Sequence, residues 1–256
     1  MEHQFNIFEL LESDVSEDKE SIKDNYRIEE IPHWLAMEMV VAYHYLHREC
    51  PCSRAFGLFE TRGGKLKGVI TYGVSCSSTL LKGICGEEEM HNVYELNRLW
   101  VSDDVPRNGE SYLIANTLKM LDKEIIVSFA DSSQNHVGYV YQATNFLYCG
   151  LSAKFLDPKV KGFEGMHHAT YAHGMTMAQV KEKYGEENVF YEERPRKHRY
   201  IYFNADKRRK KELMKKLRYK VQKYPKKENN SFTNLEWVSD AENKEHAKKM
   251  KKGDTT

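Results

Sequence analysis

Val93-Tyr-Glu-Leu-Asn-Arg-Leu-Trp-Val101, then the run ESYLIANTLKML over residues 110–121, then Glu124-Ile-Ile-Val-Ser-Phe-Ala-Asp131, is the stretch from which the fold is read. The first segment is rich in large and β-branched residues, and period-2 alternation sends Tyr94, Leu96, Arg98 and Trp100 to one face. The second carries apolar residues at helical spacing. The third is a short continuous apolar run, typical of a strand buried on both faces in parallel pairing. Together they predict a strand, turn, helix and strand.

Working outward, AFGLFE (55–60) and KGVITYGV (67–74) form a hairpin across Thr61-Arg62-Gly63-Gly64-Lys65, whose glycines supply the turn. PHWLAMEMVVAYHYLH (32–47) reads as a helix with Pro32 at its first position. The stretch SCSSTLLKGICGEEE (75–89) is predicted to be an irregular loop with one helical turn. HVGYVYQATNF (136–146) reads as a helix and LYCGLSAKF (147–155) as the last strand of the domain. This order favours a mixed α/β sheet flanked by helices over a bundle or a sandwich. Beyond residue 155, MTMAQVKEKYG predicts a short helix, VFYEE and KHRYIYFNA a pair of strands, and DKRRKKELMKKLRY a basic helix. These either extend the main sheet or form a small subdomain.

The expected organisation is an acidic arm over 1–30, a core over 31–155, a basic extension over 156–227 with a hairpin and a helix, and a flexible tail over 228–256. The formal net charge of +1 conceals an asymmetry. Residues 1–31 hold ten acids against three Lys/Arg, whereas 194–227 hold sixteen Lys/Arg against two acids. The extension interleaves Arg199, Lys207, Arg208, Arg209 and Lys210 with Tyr200, Tyr202 and Phe203. Cations neutralise phosphates and aromatics stack on bases, so this mixture points to nucleic acid. An apolar stripe that would favour a membrane surface is missing from the basic helix.

Apolar runs fall short of the roughly 20 residues a membrane span needs, and the first residues lack a secretory signal pattern. Five cysteines without a C-x-x-C pair suit a reduced setting, so a cytoplasmic protein is expected. Cys50-Pro51-Cys52 has no second pair at zinc-finger spacing.

Three constellations could carry chemistry. Arg107, Asn108, Gly109 and Ser111 lie where a strand turns into a helix, a place where unpaired amides can hold an anion or simply cap the helix. Asp131, Ser133 and Gln134 sit beyond the carboxyl end of a strand, where open α/β sheets bind ligands. His44 and Tyr45 close the first helix.

YELNRLWVSDDVPRNGESYLIANTLKML with IIVSFADSSQNHVGYVYQATNFLYCG resembles the Mom family of phage DNA-modification proteins, and the basic tail RPRKHRYIYFNADKRRKKELMKKLRY resembles the end of its members. The resemblance covers roughly 35–225. It implies a GNAT-like (acetyltransferase-type) twisted mixed sheet and an enzyme that converts the exocyclic N6 of adenine in DNA to a carbamoylmethyl derivative, protecting phage DNA from restriction. Catalytic roles fall on Arg98, Asp131 and Tyr141, with Ser133, Gln134, Arg199, Lys207, Arg208, Arg209 and Lys210 binding substrate. His44, Tyr45 and Asp131 are implied as metal ligands. In GNAT enzymes the 107–111 junction would hold the pyrophosphate of acyl-CoA. The cofactor stays open between acyl-CoA and a metal ion, iron included. DNA and a small-molecule donor are the implied partners, and a homodimer remains open. The competing readings are an acetyltransferase acting on protein or a small amine, and a non-enzymatic DNA-binding protein.

Overall fold

In the computed structural model, which describes residues 21–164, 166 and 171–225, a seven-stranded sheet lies between two layers of helices. A helical turn, α1 (Ile22–Asn25), leads into β1 (Tyr26–Glu30), α2 (His33–Tyr43), β2 (Arg54–Glu60) and β3 (Leu66–Gly73). There follow α3 (Ser78–Cys85), β4 (Val93–Val101), α4 (Gly109–Thr117), β5 (Ile125–Asp131), α5 (Tyr139–Ala143) and β6 (Leu147–Leu151). Then come β7 (Leu156–Val160), α6 (Met177–Tyr184), β8 (Val189–Glu193), β9 (Lys197–Phe203) and α7 (Lys207–Lys216). The order in the sheet is β1-β2-β3-β4-β5-β9-β6, antiparallel except where β5 runs parallel to β4. The sequence-based expectation of a mostly antiparallel mixed sheet, with these two strands as neighbours, matches this topology.

Two apolar layers bury the sheet. On one face Phe56, Ile70, Tyr72, Leu96 and Ile126 pack beneath Leu113, Ile114 and Leu118 and against Tyr141 and Phe146. On the other, Ala36, Met37 and Val40 of α2 cover Ala55 and Val69, while Leu81, Ile84 and Cys85 of α3 and Leu213 of α7 cover Val93, Ile125, Val127 and Ile201. Burial at about 25 cal/mol per Å² of apolar surface is the main stabilising contribution in such layers.

Several expectations need correction. Residues 22–30 are not part of a loose arm, because β1 pairs along its whole length with β2; positions 1–20 lie outside the described residues, as does the tail over 228–256. Residues 78–85 form a helix rather than a loop, since the Ser77 side chain accepts the Leu80 amide hydrogen and starts it. The first helix ends at Tyr43, with His44 as its extended C-cap. The strands expected to form one hairpin do not meet: β8 pairs with β7 in a separate two-stranded sheet, and β9 inserts between β5 and β6. The main sheet therefore runs past residue 155, and β6 becomes its edge.

One further departure shapes the site. Thr71 pairs with Arg98 but Tyr72 pairs with Leu96, so Asn97 is an extra residue, a β-bulge. The alternation read from sequence breaks there. Tyr94 and Leu96 face the α4/α5 layer, while Arg98, opposite Thr71, and Trp100, opposite Val69, face the α2 layer.

The helix α7 is anchored by charge as well as by Leu213. Buried Glu89 accepts from Arg209 at 2.6 Å and from Lys216 at 2.7 Å, and Arg209 also reaches Glu124 at 2.9 Å. Replacing Arg209 by Ala leaves Glu89 half-paired. Urea unfolding should show a loss of roughly 2–3 kcal/mol, less than for a fully buried pair because the guanidinium is partly solvated. Lys211→Ala, on the solvent side of the same helix, should unfold like the wild type.

Candidate active site

The parallel pairing of β4 and β5 stops at Leu96 and Ser128, where the Ser128 hydroxyl donates to the Leu96 carbonyl at 3.0 Å. Both strands continue beyond that pair, β4 to Val101 and β5 to Asp131. The bulge at Asn97 falls at the parting point. The candidate cleft is the place where the two strands cease to pair.

Arg98 projects into this region from the α2 side. Its Nη1 donates to the Asn97 carbonyl at 2.8 Å, and its buried Nε has no hydrogen-bond partner among the described residues. A buried donor left unmade costs free energy, so this one is poised for an acceptor supplied by a ligand. Burial, and then the neighbouring Arg48, weaken its hold on the proton, with Cys50 and Tyr45 opposing; a guanidinium still stays charged.

Asp131 ends β5 opposite Lys197, whose Nζ lies 3.3 Å from Oδ2. Oδ1 accepts from both the amide (3.0 Å) and the hydroxyl (2.7 Å) of Ser133. Burial pushes the carboxyl up, but the Ser133 hydrogen bonds and the Lys197 charge together outweigh it and hold the group below its usual value. Asp131 is thus a fixed carboxylate with Oδ2 turned to a cation. Tyr141, on α5, reaches the same place from the opposite face. Burial pushes its hydroxyl up to about 12, against a hydrogen bond with Ser128. It is a neutral hydrogen-bonding group at ordinary pH.

His44 and Tyr45 close the site on the α2 side. The rings stack at 4.4 Å, and Tyr45 meets His136 edge-on at 5.8 Å. The His44 Nδ1 accepts the Leu46 amide hydrogen at 3.2 Å, which leaves the ring proton on Nε2. Burial, then the Arg98 charge, pulls its pKa down to about 4. The charges of Arg98 and Asp131 both act on Tyr45, and Tyr45 acts on Tyr141. Tyr45 thus stacks on His44 and interacts electrostatically with Arg98, Asp131 and Tyr141. Ser133 is engaged with Asp131, and Gln134 is exposed beside it.

The remaining candidates stand differently. Among the described residues no group of three or more His, Cys, Asp or Glu could hold a metal ion. His44 has Nδ1 engaged with the Leu46 amide, and Asp131 has Oδ1 engaged with Ser133 and Oδ2 3.3 Å from the Lys197 Nζ. The junction 107–111 is the turn that leads into α4. The face that a Cβ of Gly109 would occupy is filled by Val105 at 2.7 Å and Val101 at 3.2 Å, so this glycine serves strand–helix packing rather than ligand approach. Glu110 adds negative charge to the first turn, Ser111 donates to the Asn108 carbonyl, and Arg107 is exposed. Asn108 sits in the left-handed region without capping through its side chain.

Lys207 and Lys210, with Lys211, Met214 and Lys215, line an open groove of about 600 Å³ on α7, and Arg208 is exposed. Arg209 is instead held in the ion cluster with Glu89 and Glu124. Arg199 lies under Tyr219, 4.0 Å from the ring centroid. Because β9 runs from Lys197 beside Asp131 to Phe203 beside Ile125, α7 begins at the far end of β5, roughly 20 Å of strand away.

Sequence reasoning missed Glu95, which acts electrostatically on both Arg98 and Tyr141, and Arg48, and it counted Lys197 only among the cations of the basic extension. Lys197 stands in the basic tract RPRKHRY, but no local signal says that this tract pairs with β5.

The mixed sheet with its one parallel pair, parted at a bulge and flanked by helices, is a GNAT-like α/β fold. The chain belongs to the Mom protein family, whose model matches residues 25–226. It is 34% identical over 221 residues to "Methylcarbamoylase mom" of Escherichia phage Mu, covering 78% of this chain and 83% of that protein. Similar solved structures include a spermidine/spermine N-acetyltransferase from Vibrio cholerae, with 8% identity and a TM-score of 0.42 over 74% of this chain and 99% of that one. Another is a ribosomal-protein-S5-alanine acetyltransferase from Vibrio fischeri, with 11% identity and a TM-score of 0.41 over 71% and 94%.

The His44 geometry carries a testable consequence for stability. Between pH 6.5 and about 4 the unfolded chain takes up a proton on this ring while the folded chain does not, so folding stability is full above that window and declines as pH falls through it. Replacing His44 by Gln should remove up to about 3 kcal/mol of the acid-side loss, read as the difference between wild-type and variant urea midpoints across the window. Parallel curves would show that His44 ionises freely.

Proposed function

We propose that this chain is a DNA-modification enzyme that attaches a carbamoylmethyl group to N6 of adenine. The observation that carries the reading is its membership of the Mom family, with the Mu methylcarbamoylase related over most of both chains. The cleft gives that reading a chemical form.

The new bond joins N6 to a methylene carbon bearing an amide. N6 must lose a proton, and the donor must carry a leaving group on that carbon which departs with the bonding electrons. The N6 lone pair is delocalised into the ring, so orientation and charge placement matter. Asp131, ionised and fixed by Ser133 and Lys197, accepts an N6 hydrogen and orients the amino group. The carboxylate is a weak base in this setting, which favours positioning over outright deprotonation. Arg98 offers its buried Nε to an oxygen of the donor. Tyr141, neutral and anchored on Ser128, donates or accepts a hydrogen bond across the cleft. Reaching a cleft in the body of the sheet requires the adenine to leave its stack, as enzymes acting on bases do.

The cations nearest the cleft are Arg48, Arg98 and Lys197, with Arg196 alongside, and the α7 groove adds Lys207, Lys210, Lys211 and Lys215. Phosphate contacts from these groups make DNA affinity fall steeply with salt.

The test is nucleoside mass analysis of DNA from cells expressing the chain. Wild type should yield a deoxyadenosine adduct heavier by one carbamoylmethyl group. Asp131→Asn and Arg98→Ala, with wild-type folding and DNA affinity, should each lower its yield by at least roughly a hundredfold, the scale on which positioned charges act. Unmodified DNA from wild-type cells would sink the proposal, leaving a DNA-binding protein or an acetyltransferase. A fully active variant would remove that residue from the mechanism.

A further inference from the structure

Tyr43, the last residue of α2, and Trp100 of β4 form a parallel stack beside the cleft, with ring centroids 4.6 Å apart and planes at 18°. Neither lies within a hydrophobic core cluster, and Tyr43 is 56% exposed. Trp100 is partly buried and Tyr43 lies over it, so the stack turns the exposed tyrosine ring to water. Trp100 shares a face with Arg98, two residues away and so about 7 Å along the strand, and the bulge at Asn97 turns both toward α2. Two guanidinium groups lie nearby: Arg48, exposed in the turn that follows Tyr43, acts on Arg98.

We propose that the Tyr43–Trp100 stack is a platform for a DNA base neighbouring the target adenine, holding the strand open while the adenine occupies the cleft. This rests on the reading of the chain as a DNA adenine-modifying enzyme and deepens it by assigning a base-stacking surface. An aromatic face bordered by guanidinium groups matches a nucleotide, whose base is a flat apolar ring and whose phosphate is an anion. Each ring is already held by the other, so a base adding to the stack orders no further protein side chain. Extruding one base breaks two stacking contacts in the duplex, and a platform that replaces one of them lowers the cost of extrusion. The surface reads no hydrogen-bond pattern, so it would serve any flanking base.

The experiment measures anisotropy of labelled single strands with the full chain: oligodeoxyadenylate, and an abasic strand of equal length. Wild type should bind the base-bearing strand more tightly. Tyr43→Ala should weaken that strand by roughly tenfold while leaving the abasic strand unchanged, and Tyr43→Phe should behave as wild type. Equal loss on both strands, or no loss on either, would overturn the platform while leaving adenine modification standing. Should wild type bind neither strand and yield no adduct, the platform and the enzymatic reading fall together. A wild-type dimer in sedimentation that Tyr43→Ala dissociates, with base preference unaltered, would assign the stack to a subunit interface and overturn the proposal.

Discussion

The site depends on one departure from regular pairing, the extra residue at Asn97 in β4. A strand that kept its alternation would send Arg98 into the apolar layer with Tyr94 and Leu96, where no carboxylate faces it. The bulge turns Arg98 and Trp100 toward α2 instead, and it coincides with the last β4–β5 pair, Leu96 with Ser128. From that point the two strands part. Side chains from opposite layers, Arg98 and Asp131 on one side and Tyr141 on the other, can then share a single opening. The hydroxyl of Ser128 marks the apex, donating to Leu96 and serving Tyr141.

Each group in the opening has its protonation state set by its surroundings. Hydrogen bonds from Ser133 and the charge of Lys197 keep Asp131 ionised against burial. Burial keeps Tyr141 neutral, and burial with the Arg98 charge keeps His44 neutral with its proton on Nε2. The cleft therefore presents a fixed carboxylate, a fixed guanidinium and neutral donors, the arrangement expected where catalysis relies on pre-set electrostatics more than on proton traffic. The basic helix divides its labour in a similar way: Arg209 and Lys216 hold α7 to Glu89 and Lys210 lies over the Tyr202 ring, while Lys207, Lys211 and Lys215 face solvent.

Much of this was legible in the sequence. Period-2 and period-3.6 patterns located β2 to β5 and the helix α4, because those elements are apolar enough to declare their faces, whereas α3 read as a loop. Arg98, Asp131 and Tyr141 were named through a resemblance to a family, and each interacts electrostatically with Tyr45. Less visible were features set by long-range pairing. A bulge leaves no mark in VYELNRLWV, since which residue goes unpaired depends on β3. The strand β9 reads as half of a local hairpin, yet it pairs with β5, some seventy positions earlier. For that reason Lys197 was counted only as part of a basic tract. Arg209 reads like its neighbours in KRRKK, and only the buried Glu89 distinguishes it.

The central claim is that groups from the two faces of the sheet act on one substrate in the cleft opened at Asn97. The most direct measurement is a double-mutant cycle between Arg98→Lys and Tyr141→Phe, read as the yield of modified deoxyadenosine at matched protein levels. Residues acting as a unit are strongly non-additive. The account predicts that the second substitution adds little to the loss caused by the first, with a coupling of at least roughly 1 kcal/mol. Losses that simply multiply would place Arg98 and Tyr141 in separate roles and contradict a shared site.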